Sequence, residues 1–335
     1  MHYSGRKVLV TGADGFIGSH LTEKLIACGA EVTALSLYSS FDNLGWLDDL
    51  PDAARQEMTA IRGDIRDSAF VRRIAKGQDI IFHLAALIAI PYSYTAPQSY
   101  AETNILGTLN VLEAARDGGV GRVVHTSTSE VYGTALTTPI TEEHPLQGQS
   151  PYSASKVGAD MMAEAFARSF DLPVTILRPF NTFGPRQSER AVIPAIIRQA
   201  LDPNCRVIMI GDVTPLRDFT FVEDTADAFL ALGIAPKIRF GCPYNAGSGK
   251  AVTVKDVIDL VLDLTDCDKP VKHDPKRMRP AASEVRALLA DSSRLREHAG
   301  WRPAFDFREG LNQTVAWWRR RLAEKAVRRE KTFMI

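Results

Sequence analysis

Tyr152 and Lys156 stand four residues apart in Tyr152-Ser153-Ala154-Ser155-Lys156, a spacing that puts a phenol and an ammonium on one face of a helix. A cation beside a phenol favours the phenolate and brings its pKa toward the working range, which makes the pair a usable acid/base. Tyr and Lys at this spacing are common on helix surfaces, so the pair gains meaning only from its companions. One companion lies upstream in Ser127-Thr128-Ser129-Glu130-Val131-Tyr132-Gly133, at the end of an apolar run. Glu130 there is placed either to take a proton from a substrate or to cap the following turn.

A second companion is the segment Thr11-Gly12-Ala13-Asp14-Gly15-Phe16-Ile17-Gly18 near the start of the chain. Between a strand and a helix, Gly12 permits a tight turn, Gly15 lets the backbone approach a pyrophosphate, and Gly18 lets helix and strand pack closely. The helix N-terminus offers free N–H groups and a favourable dipole. This reads as a dinucleotide site. An acidic residue at the end of the second strand would then read the adenosine ribose, and an Arg there a 2′-phosphate. The strand ends Ala34-Leu35-Ser36-Leu37-Tyr38-Ser39-Ser40, with neither charge. A hydroxyl such as that of Ser36 could bond either group, and no cation stands nearby in the sequence, so the expectation is NAD, with NADP left open. Asp64 and Ile65, after the third strand, are expected at the adenine, while Asp67 or Ser68 is better suited to cap the next helix.

These residues need a scaffold, and the chain alternates short apolar β-rich runs with helical spacings, the pattern of a parallel sheet covered by helices. Strands are expected at 7–11, 31–37, 58–62, 80–84, 122–127 and 174–178, and helices at 19–28, 100–117 and 152–170. After Pro179 the regularity falls, with helices at 191–201, 223–232, 254–264 and 307–326. The fold class expected is α/β: a Rossmann-type doubly wound sheet over residues 1–180 and a smaller α/β substrate lobe over 181–335, with the chain free to cross back between them.

At 335 residues the chain has ample length for such a core, and 40 basic against 40 acidic residues leave no global field to attract nucleic acid or anionic lipid. A small ligand is the expected partner. Cys28, Cys205, Cys242 and Cys267 lie far apart without metal-ligand spacing and read as reduced thiols, so no metal is expected. No apolar run reaches the roughly 18 residues of a membrane span, and a cytoplasmic location is expected. The basic end, 319–331, continues an amphipathic helix containing Trp317, Trp318 and Leu322 and reads as a solvated helix face.

The glycine loop, Leu84-Ala85-Ala86 after a strand, Asn104 in a helix, Tyr152 with Lys156, and Arg178-Pro179-Phe180-Asn181 together resemble an extended short-chain dehydrogenase/reductase over roughly the whole chain. Within that family the chain is most similar to nucleotide-sugar epimerases and dehydratases. The resemblance implies that Gly12, Gly15, Phe16, Ile17, Gly18, Ser36, Asp64, Ile65, Leu84, Ala85, Ala86, Asn104, Tyr152 and Lys156 hold the cofactor. It also implies that Asn181, Arg186, Val192, Arg217 and Arg279 contact the sugar nucleotide, where a planar guanidinium suits phosphate oxygens.

Glu130 sharpens the resemblance. Simple 4-epimerases of this family carry a small neutral residue at its position, whereas sugar 4,6-dehydratases have Thr-Asp-Glu or Thr-Ser-Glu, and glucuronate decarboxylases also have Thr-Ser-Glu. The dehydratase resemblance assigns catalysis to Thr128, Ser129, Glu130, Tyr152 and Lys156, with a 4-keto-6-deoxy sugar as product. Segments 89–94, 37–46 and 147–152 look like dehydratases of N-acetylhexosamines, so the expected substrate is GDP- or UDP-N-acetylglucosamine. A UDP-glucuronate decarboxylase, an NDP-sugar 4-epimerase and a non-catalytic NAD(P)-binding sensor are the alternatives. The family also implies a homodimer in which helices 100–117 and 152–170 pair with a twofold mate. His83 and His125 are assigned no chemistry, and Phe180, Phe183 and Phe219 are expected to pack the lobe interface.

Overall fold

A computed structural model describes residues 3–277 and 285–324. Seven strands form one parallel sheet: β1 (Lys7–Thr11), β2 (Glu31–Leu37), β3 (Met58–Gly63), β4 (Ile80–His83), β5 (Arg122–Thr126), β6 (Val174–Pro179) and, after the short β7 (Asn181–Phe183), β8 (Ile208–Ile210) and β9 (Leu216–Phe221), the seventh member β10 (Pro243–Ala246). Their order is β3-β2-β1-β4-β5-β6-β10. β4 and β6 are buried along their whole length, as expected where helices cover both faces of a parallel sheet. β10 comes from the second half of the chain and pairs in parallel with β6 at the edge of this sheet.

The helices are α1 (Phe16–Ala27), α2 (Asp52–Gln56), α3 (Ser68–Ala75), α4 (Ile90–Thr95), α5 (Pro97–Tyr100), α6 (Gly107–Asp117), α7 (Pro151–Phe170), α8 (Val192–Leu201), α9 (Val222–Ile234), α10 (Val254–Thr265), α11 (Ser293–Ala299) and α12 (Phe307–Ala323). On one face of the sheet α1 and α9 bury Leu21, Leu25 and Phe229 against Phe82; on the other α3, α6 and α7 bury Val71, Leu112 and Phe166. The smaller lobe has its own core of Phe183, Ile196, Phe221, Val257 and Trp318. It carries a three-stranded sheet of β7, β9 and β11 (Ala251–Thr253), and β8 pairs with β12 (Val271–His273). Phe183, Phe219 and Phe307 meet within it, Phe219 stacking on Phe307, while Phe180 packs with Tyr132 in a separate cluster.

One helix expected at 100–117 is instead two windings. Residues Ala101–Leu106 form a π-helical segment ahead of α6. The Asn104 side chain there is drawn to the loop after β4, accepting from Leu87 N at 2.8 Å and donating to Leu87 O and to Ser155 Oγ, each at 2.9 Å. Widened helical turns of this kind recur at functional sites.

α7 is anchored at both ends of its buried face. Ser150 and Ser153 form a capping box with Pro151 in the first turn, which sets Tyr152 at the helix start. Two turns on, Asp160 is fully buried and accepts from Arg178 Nε and Nη2 at 3.1 and 3.0 Å and from Ser127 Oγ at 2.8 Å, with His125 Nε2 at 3.3 Å. Burial pushes the Asp160 carboxyl up, but His125 and the charges of Arg178 and Lys156 outweigh it and hold the group below its usual range. Arg178 also donates to Tyr132 Oη at 3.0 Å, and that hydroxyl donates to Asn245 in β10 at 2.7 Å. Removing one partner of a buried pair strands the other charge. Asp160→Asn is therefore expected to lower unfolding stability by roughly 3–5 kcal/mol in urea titration, and Asp160→Asn with Arg178→Met to recover part of that loss.

Candidate active site

The order of the sheet reverses between β1 and β4, and the crevice outside their C-terminal ends is where ligands bind in folds of this type. A continuous cleft of about 2410 Å³ opens there and runs into the smaller lobe. That exceeds the 300–1,000 Å³ typical of single small-molecule sites, so there is room for two extended ligands end to end.

The glycine loop forms the floor of one end. Gly12 sits at φ +70°, and a Cβ on it would lie 2.7 Å from Ala85 N; a Cβ on Gly18 would lie 2.1 Å from Gly12 O. Thr11 Oγ1 accepts from Leu84 N and Ala85 N, both at 3.2 Å, and so binds the loop after β4 to the end of β1. α1 begins at Phe16 after Gly15, with no side chain capping its first N–H groups. Those donors face the cleft together with Ile17 and Gly18, ready for an anion. The residues present fit a dinucleotide: the loop presents pyrophosphate donors, and Leu84, Ala85 and Ala86 line an apolar wall beside it.

Two expectations at the adenosine end are corrected. Ser36 is buried, does not line the cleft, and donates its hydroxyl to Asp14 Oδ2 at 3.1 Å. A cation does stand nearby, because β2 and β3 pair Ser36 with Arg62, whose guanidinium meets Asp42 at 2.7 Å. Asp64 and Ile65 line the cleft as expected, but Asp64 is also clasped by Arg66, which holds its carboxyl below the usual range. Asp67 caps α3 by accepting from Phe70 N.

At the middle of the cleft, β5 ends at Thr126 and the chain turns through a short 3-10 turn, Ser129–Tyr132, whose N-cap is Thr128 accepting from Glu130 N at 3.2 Å. This turn and the start of α7 bring Thr128, Ser129, Glu130 and Tyr152 to one wall. Ser129 is almost fully buried, whereas Thr128 and Glu130 are half-buried. Tyr152 packs against Ile90 and edge-on to Tyr100, ring centres 6.2 Å apart. Burial raises the phenol well above its ordinary value, the Thr128 hydroxyl opposes this, and the Glu130, Tyr100 and Asp160 charges add to it. The expectation of a lowered phenol is therefore reversed within the protein alone: desolvation dominates, and Lys156 is turned away to donate to Thr126 O. Lys156 lies behind the cleft wall, fully buried, and is itself pushed down to about 8 by desolvation against the pull of Asp160.

In the smaller lobe, Asn181 and Arg186 line the cleft; Val192 and Arg217 do not. Val192 begins α8 and packs toward the lobe core, and Arg217 is buried with Nη1 on Leu216 O, so neither reaches the cleft. Arg186 bridges to Glu23 on α1 at 2.8 Å. Arg279 lies outside the described residues. Asn181 Oδ1 and Thr126 Oγ1 are shielded from solvent without a hydrogen-bond partner among the described residues. His83 and His125 are core groups, His83 held between Thr11 and Thr108. The sequence reading missed Asp14, Arg66 and Trp46, which also line the cleft; Asp160, at i+4 from Lys156, was legible in principle from the helix period. Among the described residues no His, Cys, Asp and Glu group could hold a metal, no helix is long and apolar enough to cross a membrane, and the four cysteines are free.

A family profile described as GDP-mannose 4,6 dehydratase matches residues 9–314. The chain belongs to this family. It is 34% identical to a UDP-glucose 4-epimerase of Mycolicibacterium smegmatis, over 93% of this chain and 98% of that one, and 34% identical to a dTDP-glucose 4,6-dehydratase of Actinoplanes sp. over the same shares. Among solved structures it is similar to a UDP-N-acetylglucosamine 4-epimerase from Methanobrevibacter ruminantium (TM-score 0.85, 32% identity, 95% of this chain and 99% of that one). It is also similar to a dTDP-glucose 4,6-dehydratase from Streptomyces venezuelae solved with NAD (TM-score 0.83, 33% identity, 95% and 98%). The relatives thus place the chain among nucleotide-sugar 4,6-dehydratases and 4-epimerases.

The lowered Lys156 gives a pH signature. Its folded pKa of about 8 lies below the unfolded value near 10.5, so the unfolded chain binds more protons in that interval and this group's contribution to stability rises with pH there. Compared with Lys156→Met, the wild type is expected to gain on the order of 1–3 kcal/mol between pH 8 and 10.5, read as the difference of two denaturation series.

Proposed function

We propose that this protein is an NAD-dependent nucleotide-sugar 4,6-dehydratase acting on GDP- or UDP-N-acetylglucosamine. The observation that carries the reading is Glu130 on the cleft wall beside Thr128 and Tyr152, where it faces the same space as the phenol. Epimerisation at C4 needs only a phenol and a cofactor, whereas elimination needs a base for the C5 proton, and Glu130 is the free carboxylate at that wall. Segments 89–94 and 147–152, which resemble dehydratases of N-acetylhexosamines, flank this wall and place Ile90, Tyr92 and Tyr152 on the cleft.

Gly12, Gly15, Phe16, Ile17, Gly18 and the Leu84–Ala86 wall would hold NAD, which when bound supplies the hydride acceptor for C4 and the hydride for C6. Tyr152 takes the proton of the sugar 4-hydroxyl while Thr128 hydrogen-bonds the same oxygen. Burial raises the phenol, and a positive charge held at the dinucleotide site beside it would oppose that rise. The 4-ketone acidifies C5–H, and Glu130 removes that proton and passes it, directly or through water, to the departing 6-hydroxyl. Once hydride adds at C6, C5 is reprotonated from water through Glu130 while Tyr152 releases the 4-hydroxyl proton to solvent, so the net change is loss of one water. Ser129, buried and weakly acidic, serves the shape of the turn.

Incubation of the purified protein with each sugar nucleotide, followed by product mass, tests this. Loss of one water supports the dehydratase, loss of carbon dioxide from a uronate gives the decarboxylase, an unchanged mass with a new C4 configuration gives the epimerase, and no product with tight NAD retention gives the sensor. Glu130→Gln is expected to keep C4 oxidation, visible as NADH absorbance, and to lose elimination by about 10²–10⁴-fold.

A cytoplasmic homodimer belongs to the same proposal. Leu106, Met161 and Phe170 are 52%, 42% and 50% exposed along the π-helical segment and α7, an apolar face suited to a twofold four-helix contact. Leu106→Glu with Met161→Glu is expected to shift the mass seen by light scattering from dimer to monomer.

A further inference from the structure

The end of β2 carries no charge of its own, yet a carboxylate is fixed beside it. Asp14 reaches across from the glycine loop, and its Oδ2 accepts from Ser36 Oγ at 3.1 Å and from Leu37 N at 3.3 Å. Its backbone is held as well: Trp46 N donates to Asp14 O at 3.0 Å. Gly45, at φ +60°, would place a Cβ 2.7 Å from that oxygen, so the loop after β2 is pressed onto Asp14 and leaves it one position. The side chain is half-buried and lines the cleft. Partial burial of a carboxylate on a ligand-facing wall is costly unless a donor meets it.

In a doubly wound sheet the adenosine ribose lies over the tip of the second strand, where an acid accepts from its 2′-hydroxyl. We propose that Asp14 is that acceptor, delivered by the glycine loop instead of by β2, and that it sets the preference of this protein for NAD over NADP. A 2′-phosphate would bring a second anion against the Asp14 carboxylate. The nearest cation in register, Arg62, does not offset this, because Asp42 already pairs with it at 2.7 Å. The Ser36 hydroxyl, committed to Asp14, orients the carboxylate and does not meet the ribose. This inference rests on the NAD-binding reading above.

Titration of the full-length protein with NADH and with NADPH, followed by quenching of tryptophan fluorescence, tests the assignment without turnover. The wild type is expected to bind NADH more tightly than NADPH. Asp14→Asn, which keeps an acceptor for Ser36 and Leu37, is expected to weaken NADH by about tenfold and to leave NADPH unchanged or tighter, so that the preference collapses. Asp42→Asn, which frees Arg62, is expected to tighten NADPH alone. A wild type that prefers NADPH, or an Asp14→Asn protein with native circular dichroism and an unchanged NADH to NADPH ratio, overturns the role of Asp14 while the dinucleotide site stands. A wild type that binds neither nucleotide overturns the NAD reading and this inference with it.

Discussion

The buried pairing of Asp160 with Arg178 is the constraint on which the rest of the site depends. It joins α7 to β6, and through Tyr132 and Asn245 it extends to the Ser129–Tyr132 turn and to β10. Each of these elements carries or supports one part of the cleft wall formed by Thr128, Ser129, Glu130 and Tyr152. Two ions in a dry interior are worth keeping only if every lone pair and N–H is met. Ser127 and Arg178 both meet one Asp160 oxygen, Tyr132 meets Arg178 Nη1, and the other Asp160 oxygen lies 3.3 Å from His125 Nε2. The same demand for partners ties the second half of the chain back to the first, since β10 supplies the last hydrogen-bond acceptor in the series.

A second constraint is burial of the phenol. Packing Tyr152 against Ile90 and Tyr100 raises its phenol, because an anion there would be desolvated. Lys156, committed to the Thr126 carbonyl, supports the geometry of the strand end and raises the local potential without itself reaching the cleft.

The glycine loop has two tasks. Gly12 and Gly18 are required by contact: neither tolerates a Cβ against the backbone it faces. Asp14, between them and held by Ser36, Leu37 and Trp46, carries the charge that the second strand lacks. Loop geometry and ribose recognition are thereby combined in one short segment, and the loop from Tyr38 to Asp49 is folded over it and fastened to α12 through Trp46, Trp317 and Arg321.

The chain alone determined six of the seven strands of the sheet, the glycine loop, the Tyr152 and Lys156 spacing and the position of Glu130. All of these are local periods or contiguous motifs, and their physical basis is complete within a few residues. Only tertiary structure decided which groups at those positions are free. Ser36 was legible as a hydroxyl at a strand end, but its bond to Asp14 depends on two strands' relative register and a loop folding back. Arg62 was invisible as a neighbour of Ser36 because parallel pairing joins residues far apart in sequence. Asn104 was legible as a helix residue near the site, yet its π-helical turn and its clasp on Leu87 arise from a contact between elements. Arg217 and Val192 were legible as types suited to a ligand, and packing turned both away. Motif chemistry is written along the chain, whereas the availability of each donor, acceptor and charge is set by the competition for partners once distant segments are buried together.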